Sequence, residues 1–327
     1  MRVKSRKSLW LSAVFGIACS ACTTTGSLGT AGDGDAVIAT PAIVARAHAG
    51  DPDAQFLLGL AYEDGRGVEP DLAIAKRFYE RAATQGHPAA QNNLGLLYYT
   101  GRGVERSFGA AAEWFARAAD HGYARAQCNR GVMLLFGQAT ERDPEAARGW
   151  LQRAADQGDA KAQRVLGSIY EEGLGVEPDA ARAAELFGHA ANQGEAAAQY
   201  RLGLLSFQGR GVPRDEAAAA HWFEAAAEAG VAEAQHHLGW MYLAGRGVTQ
   251  NDETAVRWLR SAADQGLAIA QYTLGLAHLR GQGVTADRTV ARRWLALAAG
   301  QGLPVAQRAV RSLDSPRGAD RPAAPSY

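Results

Sequence analysis

The sequence predicts an all-α protein made of seven consecutive helix–turn–helix repeats, each 36 residues long. Two observations predict this architecture. A glycine recurs at one fixed interval, and an apolar stripe with helical spacing recurs at the same interval, with a capping residue before each copy and a glycine after it. A period of this length is typical of proteins that stack supersecondary units rather than fold around one globular core. The recurring glycines are Gly59, Gly95, Gly131, Gly167, Gly203, Gly239 and Gly275.

The second helix of each repeat, helix B, carries the apolar stripe. In the first repeat the stripe has the spacing i, i+3, i+4, i+7 and consists of Ala75, Phe78, Tyr79 and Ala82. Positions with this spacing share one helical face. Asp71 stands just before the stripe, where its carboxylate can accept from the free amides of the first turn. Gly86 follows the helix, where a left-handed conformation costs glycine little.

The first helix of each repeat, helix A, is expected to open near an alanine–glutamine pair, Ala54–Gln55 in the first repeat, and to end in a Gly-x-Gly-Val turn. Gly59 lies inside this helix, at a cost of about 1 kcal/mol relative to alanine. We therefore expect helix B to pack closely against this glycine. Two half repeats flank the array: Pro41–Gly50 predicts a lone helix B and Pro304–Ser312 a lone helix A, which would cap the stack.

Three motifs recur along residues 41–312: Ala-Gln-x-x-Leu-Gly-x-x-Tyr in helix A, Gly-x-Gly-Val in the turn, and Ala-x-x-Trp-Phe-x-x-Ala-Ala-x-x-Gly in helix B. Together they resemble the Sel-one-like repeat (SLR), a relative of the tetratricopeptide repeat. The resemblance implies a right-handed α/α superhelical solenoid with half-repeat caps. It also implies a scaffold or adaptor between proteins rather than an enzyme.

The resemblance to tetratricopeptide arrays further implies that helix A lines a concave face, with partner contacts from positions that vary between repeats. Aromatic side chains at such positions are candidates, because aromatics bury a large area at protein interfaces at little entropic cost. Packing between adjacent A helices is the alternative role for some of them. The candidates are Phe56, Tyr99, Phe136, Tyr200, Phe207, Trp240 and Tyr272.

The N-terminal segment predicts export. Basic residues precede the apolar run Leu9–Ala18, which is too short to cross a bilayer and indicates a signal peptide over residues 1–22. Cys22 follows small residues and resembles the lipidated cysteine of bacterial lipoproteins, with Cys19 as the second choice. Ordinary cleavage, which would give a soluble periplasmic protein, is the alternative. Thr23 resembles the sorting pattern that directs such lipoproteins to the outer membrane.

Two further segments lie outside the repeats. Residues 23–40, which are rich in Thr, Gly, Ser, Ala and Asp, predict a flexible linker. Residues 313–327 are rich in Pro, Ala, Arg and Ser without an apolar period, which predicts a disordered tail.

The sequence carries no pattern that predicts catalysis, a cofactor or a metal site. The repeats lack Cys-x-x-Cys, and the whole sequence lacks His-Glu-x-x-His and Ser-x-x-Lys. The chain has 34 basic and 34 acidic residues, which argues against a nucleic-acid partner. His236 and His237 are not expected to bind a metal with His221, because neighbouring residues of a helix point about 100° apart and face one ion poorly. All three are expected on the surface instead. Cys128 is expected to be buried, with a free thiol or an intermolecular link as alternatives.

The third repeat departs most from the pattern. Arg130 stands where the other six repeats have leucine, and the turn after Gly137 lacks the second glycine and the valine. An unpaired buried guanidinium would cost several kcal/mol, so Arg130 has to find a carboxylate, reach solvent or bend the stack. We hypothesise a kink or a specialised surface between repeats two and four.

These observations predict a non-enzymatic, lipid-anchored scaffold of the cell envelope that holds a protein partner along helix A. Assembly of envelope or exopolysaccharide machinery, and regulation of a periplasmic sensor, are the roles that the resemblance implies for this address. The alternatives are a secreted hydrolase of the β-lactamase type and a peptidoglycan-associated structural protein.

Overall fold

The computed structural model describes residues 39–314, in which sixteen α-helices follow one another without a strand. Single helices stand at the two ends: α1 (Pro41–His48) and α16 (Pro304–Asp314). The A helices are α2 (Pro52–Asp64), α4 (Pro88–Thr100), α6 (Ala124–Phe136), α8 (Ala160–Glu172), α10 (Ala196–Gln208), α12 (Ala232–Ala244) and α14 (Ala268–Arg280). The B helices are α3 (Leu72–Thr84), α5 (Phe108–Asp120), α7 (Pro144–Asp156), α9 (Ala180–Asn192), α11 (Glu216–Glu228), α13 (Asp252–Asp264) and α15 (Arg288–Gly300).

The all-α repeat class is therefore confirmed, and helix A begins two residues before its alanine–glutamine pair. The signal segment with Cys19 and Cys22, the linker up to residue 38 and the tail beyond residue 314 lie outside the described residues. Helix α16 includes the first two residues assigned to the tail, because Arg292 pairs with Asp314 at 2.8 Å. None of the helices between residues 39 and 314 combines the length and the apolarity that crossing a bilayer requires.

The chain forms two compact units, one ending at Leu166 and the other beginning at Gly167. Within each unit, an A helix packs on the B helix of its own repeat and on the B helix before it. The first unit buries Tyr79, Leu94, Phe115 and Leu151 completely or nearly so. The second unit buries Phe187, Phe223, Leu259 and Leu295 in the same way. Alternating rings and alanines thus form the core that the apolar stripe predicts.

The helix B boundaries agree with the predicted caps. The Asp71 carboxylate accepts from the amides of Ala73 and Ile74 at 2.8 and 2.9 Å. Side-chain oxygens also cap the other six B helices, from Ser107, Asp143, Asp179, Asp215, Asn251 and Asp287. Gly86 follows the first B helix at φ +89°. Local start and stop signals therefore coincide with the ends of all seven B helices.

The glycines inside the A helices are sites of close approach between paired helices, as predicted. A Cβ atom added to Gly59 would lie 2.6 Å from the ring of Tyr79, and one added to Gly95 would lie 2.7 Å from the ring of Phe115. Real Cβ atoms do not approach other carbon atoms this closely. The recurring glycine is thus explained by packing rather than chemistry.

A buried glutamine network connects the two helices of a repeat to each other and to the helix before them, and no pattern in the sequence indicates it. The amide of Gln55 donates to the carbonyl of Ala47 at 3.2 Å, and the amide of Gln85 donates to the side-chain oxygen of Gln55 at 2.8 Å. The same pairing joins Gln157 to Gln127, Gln265 to Gln235 and Gln301 to Gln271. The alanine–glutamine pair therefore marks a polar link between helices, since buried amides need partners.

The second repeat breaks this network, which gives a stability prediction. His121 stands where most other repeats have glutamine, and the buried side-chain oxygen of Gln91 has no hydrogen-bond partner. We expect His121→Gln to supply the donor and to raise the free energy of unfolding by about 1 kcal/mol, the usual contribution of one hydrogen bond. Urea unfolding followed by circular dichroism measures the change. Gln157→Ala, which removes an existing link, should lower stability by a similar amount; a His121→Gln protein no more stable than the parent would contradict this explanation.

The exceptional Arg130 of the third repeat finds a carboxylate. Its guanidinium donates to Asp120 at 2.8 Å and lies 4.3 Å from the ring centroid of Trp150, whose ring also contacts Arg153 at 4.7 Å. The charge is thus paired and stacked on an aromatic face, which removes the expected cost of burial. The altered turn contains Ala139 at φ +66°, which is the one non-glycine residue with positive φ among residues 39–314. The hypothesised kink stays a prediction.

Candidate protein-binding face on the A helices

The seven aromatic candidates lie on A helices of both compact units. Phe56, Tyr99 and Phe136 belong to the first unit, and Tyr200, Phe207, Trp240 and Tyr272 belong to the second. Six of the seven are half-buried, whereas Tyr272 is only 6% exposed and belongs to the apolar core next to α16. The half-buried rings combine packing with accessible area, which is the usual state of an interface anchor.

The second unit brings two of these rings together with an arginine, in what we call the aromatic–arginine cluster: Phe207, Trp240 and Arg246. The rings of Phe207 and Trp240, on consecutive A helices, meet edge to face at 5.8 Å between centroids. The guanidinium of Arg246 lies 4.7 Å from the first ring centroid and 5.1 Å from the second. Aromatic and arginine side chains are the types most enriched at interface hot spots.

Glu216 holds the arginine of this cluster in place. The Arg246 Nε donates to Glu216 at 3.0 Å, and a second, shorter hydrogen bond joins the same groups. Arg214 donates to the same carboxylate at 2.7 Å. Hydrogen bonds from Arg246 and then Arg214 lower the pKa of Glu216 to about 2, so the carboxylate is ionised at neutral pH. A bidentate pair of this kind orients the guanidinium over the rings before any partner arrives.

Two neighbouring imidazoles lie beside Tyr200 in the same unit, one buried (His236) and one half-buried (His237). The ring of His237 is 5.7 Å from Tyr200 and 5.1 Å from Phe223, and the His236 ring is 5.6 Å away. His236 is 6% exposed, so its expected surface position is wrong. It is buried because its helix face is covered by α14, where the Thr273 hydroxyl lies 3.4 Å from His236 Nε2.

Burial changes the titration of these groups. Desolvation lowers the pKa of His236 and of His237 to about 4, and it raises the pKa of Tyr200 to about 12. Both imidazoles and the phenol are therefore neutral at pH 7. Among residues 39–314, no three His, Cys, Asp or Glu side chains come together in a way that could hold a metal ion.

The A helices of the first unit also carry polar contacts. Asn129 donates to the side chain of Asn92 at 2.9 Å, and Tyr79 donates to Glu63 at 2.6 Å. Phe56 stacks on the ring of His87 at 4.7 Å. Cys128 on the same helix as Asn129 is 4% exposed, which agrees with the buried interpretation.

Comparison with known proteins identifies the repeat. The model of the Sel1 repeat matches seven consecutive segments, at residues 52–87, 88–123, 124–159, 160–195, 196–231, 232–267 and 268–303. The comparison with curated proteins found no match.

Two solved structures resemble the chain closely. One is c5321, described as a protective antigen of uropathogenic Escherichia coli strains with an SLR fold, at 34% identity and a TM-score of 0.75 over 83% of this chain. The chain spans only 58% of that protein. The other is a Sel1 repeat protein from Oxalobacter formigenes, at 38% identity and a TM-score of 0.65, covering 83% of this chain and 79% of that one.

Sel1 repeat solenoids generally mediate protein–protein interactions and are typically non-catalytic scaffolds. The period, the caps, the glycine-mediated packing and the seven matched segments lead to one conclusion: the chain belongs to the Sel1 repeat family.

Proposed function

We propose that this protein is a non-enzymatic scaffold of the cell envelope that binds a protein partner through the A-helix face of its second compact unit. The aromatic–arginine cluster carries the proposal. It combines two half-buried rings from consecutive repeats with an arginine whose side chain is 33% exposed and whose guanidinium is already oriented by Glu216. Binding there would require little side-chain ordering, which lowers the entropic cost of association.

The proposed location is the outer membrane, to which a lipid on Cys22 would anchor the chain. The support comes from the sequence: a basic segment, a short apolar run and a cysteine after small residues. A chain anchored in this way would present its repeats to other envelope proteins. Envelope assembly, exopolysaccharide export and regulation of a sensor kinase are the roles that the family resemblance implies for such a scaffold.

The test compares the partners that the native protein and a double variant capture in intact envelopes. Proximity labelling of the native protein is repeated with Phe207→Ala/Trp240→Ala, which removes both rings of the cluster. We expect at least a tenfold loss of the labelled partners, because hot-spot rings contribute most of the binding energy. Recovery of the native protein in the outer-membrane fraction checks the address, and a soluble periplasmic pool would contradict the lipid anchor.

Trp258→Ala supplies the matched control. Trp258 is half-buried on helix α13 of the same unit, so the substitution removes a ring of the same type from a B helix instead of an A helix. Labelling should persist in this variant if the melting temperatures of the two variants are similar. Equal recovery of partners with all three proteins would show that the aromatic–arginine cluster is not part of the binding surface.

A further inference from the structure

The outer face of α15 differs from those of the other B helices. Leu297 is 53% exposed and is the one large hydrophobic side chain that is strongly exposed among residues 39–314. Arg293, one turn earlier, is exposed and has no ion-pair partner within those residues. The helix itself supplies no carboxylate to this face, whose exposed residues are Thr289, Arg293, Ala296, Leu297 and Gly300. Arg292, at the edge of the face, is exposed and pairs with Asp314.

The outer face of α11, two repeats earlier in the same compact unit, has the opposite charge. Glu224 and Glu228 are exposed, one turn apart, and neither forms an ion pair within the part of the chain that the structure describes. Helix α11 contains no lysine or arginine. Its outer face therefore carries uncompensated negative charge.

The two faces are complementary in size as well as charge. Where α15 has Leu297, the equivalent position of α11 has Ala225. Where α11 has Glu224 and Glu228, α15 has the small residues Ala296 and Gly300. Each face thus offers small residues as well as large ones, which helix packing requires.

Charge in this unit is separated along the chain. Residues 171–264 contain fourteen carboxylates and seven arginines, whereas residues 265–314 contain six arginines and two aspartates. Helix α13, between α11 and α15, carries both signs on its outer face, with Glu253 and Asp264 beside Arg257 and Arg260. The net charge of zero for the whole chain hides this separation.

We infer that the outer face of α15 binds the outer face of α11 in a second copy of this chain. Leu297 lies against Ala225 of the other copy, and Arg293 reaches the carboxylates of Glu224 and Glu228. Because both faces belong to one compact unit, two copies related by a two-fold axis make the contact twice. Charge complementarity sets the choice of partner, and the exposed leucine supplies apolar burial.

Sedimentation velocity of the purified full chain at 1–200 µM tests the inference. In about 50 mM NaCl we expect a concentration-dependent dimer, and in about 500 mM NaCl a weaker one, because salt screens exposed charges. Arg293→Glu should raise the dimer Kd at least tenfold, and so should Glu224→Arg/Glu228→Arg. A mixture of these two variants should form a heterodimer, since both of its contacts then join opposite charges.

Arg77→Glu is the control, because Arg77 occupies the same repeat position as Arg293 but lies on α3 of the first compact unit. It should leave the Kd unchanged, and melting temperatures should show that every variant is folded. A monomer at 200 µM in low salt would overturn the inference. So would an equal loss of association in Arg77→Glu, or a failure of the two charge-reversed variants to combine.

Discussion

Replacing Gly211 with alanine is expected to lower the free energy of unfolding by about 3 kcal/mol. Gly211 is the second glycine of the turn after α10 and has φ +71°. An added Cβ would lie 2.1 Å from the carbonyl oxygen of Ala180, at the start of the B helix of the preceding repeat. Left-handed backbone costs an alanine about 1–2 kcal/mol, and overpacking adds about 1–3 kcal/mol. The contacting atom belongs to backbone, which cannot rotate away.

Gly230→Ala separates these two contributions. Gly230 also has positive φ, at +91°, but an added Cβ there meets no atom within 4 Å. We expect this variant to lose only about 1 kcal/mol, the cost of the backbone conformation. Urea unfolding of both variants measures the difference. Equal losses would show that the turn does not pack tightly between repeats.

The third repeat offers the reverse experiment on the same turn position. Ala139 occupies the equivalent place with φ +66°, so its turn already carries the backbone strain. Ala139→Gly should therefore stabilise the chain, by less than Gly211→Ala destabilises it, because glycine gains freedom in the unfolded state.

Acidification is expected to destabilise the second compact unit between about pH 6.5 and pH 4. The folded pKa of His236 and of His237 is about 4, below the ordinary value of 6.5, because burial disfavours the charged ring. The unfolded chain therefore binds more protons in this range, and stability falls as the pH falls through 6.5 toward 4. A shift of this size corresponds to about 3 kcal/mol for one group. The two rings are coupled, so their contributions do not simply add.

The surroundings of the pair offer no close counter-charge. The groups that face it are the rings of Tyr200 and Phe223 and the hydroxyl of Thr273. Glu233, on the same helix, contacts His237 through its backbone carbonyl at 3.0 Å and has an exposed side chain. Two protonated rings 5.6 Å apart would repel each other in this site.

The variant His236→Tyr/His237→Leu tests this pH dependence. Both replacements occur naturally at equivalent positions, as Tyr200 and Leu57, so the helix can accept them. Hydrogen exchange of peptides from α12, followed from pH 7 to pH 4.5 with correction for intrinsic rates, should show the loss of protection in the parent and not in the variant. His189→Asn, on an imidazole that is 60% exposed, should keep the parent profile. An unchanged profile in the double variant would assign the acid sensitivity to other groups.

Glu216 affects stability in a lower pH range than the two histidines do. The pKa of Glu216 is lowered to about 2 by its hydrogen bonds to Arg246 and Arg214. The stability from this interaction is present above about pH 4.5 and is lost as the pH falls toward 2. The histidine range can therefore be studied while the aromatic–arginine cluster is still intact.

Local signals in the sequence were sufficient for the helices. Asp71 caps α3 because its carboxylate accepts from the nearest backbone amides. Gly86 ends α3 because glycine adopts a positive φ at little cost. The role of Gly59 was predictable for a similar reason. A glycine that destabilises its helix and still recurs at one interval indicates close packing. A Cβ atom added to Gly59 would lie only 2.6 Å from the Tyr79 ring.

Polar contacts between helices were beyond the sequence. The link between Gln85 and Gln55 joins residues 30 positions apart, and nothing near either glutamine indicates a partner. The burial of His236 depends on Thr273 in the next repeat, and the arginine of the third repeat is satisfied by Asp120 in the repeat before.

The amino-acid order by itself determined that this protein is a chain of helix pairs, because caps, helix-ending glycines and apolar stripes act within a single helix. Only the tertiary structure decided which polar and aromatic groups are exposed. The exposure of a side chain depends on which helix packs over it. Tyr272 is therefore in the core, whereas Phe207 and Trp240 keep accessible area.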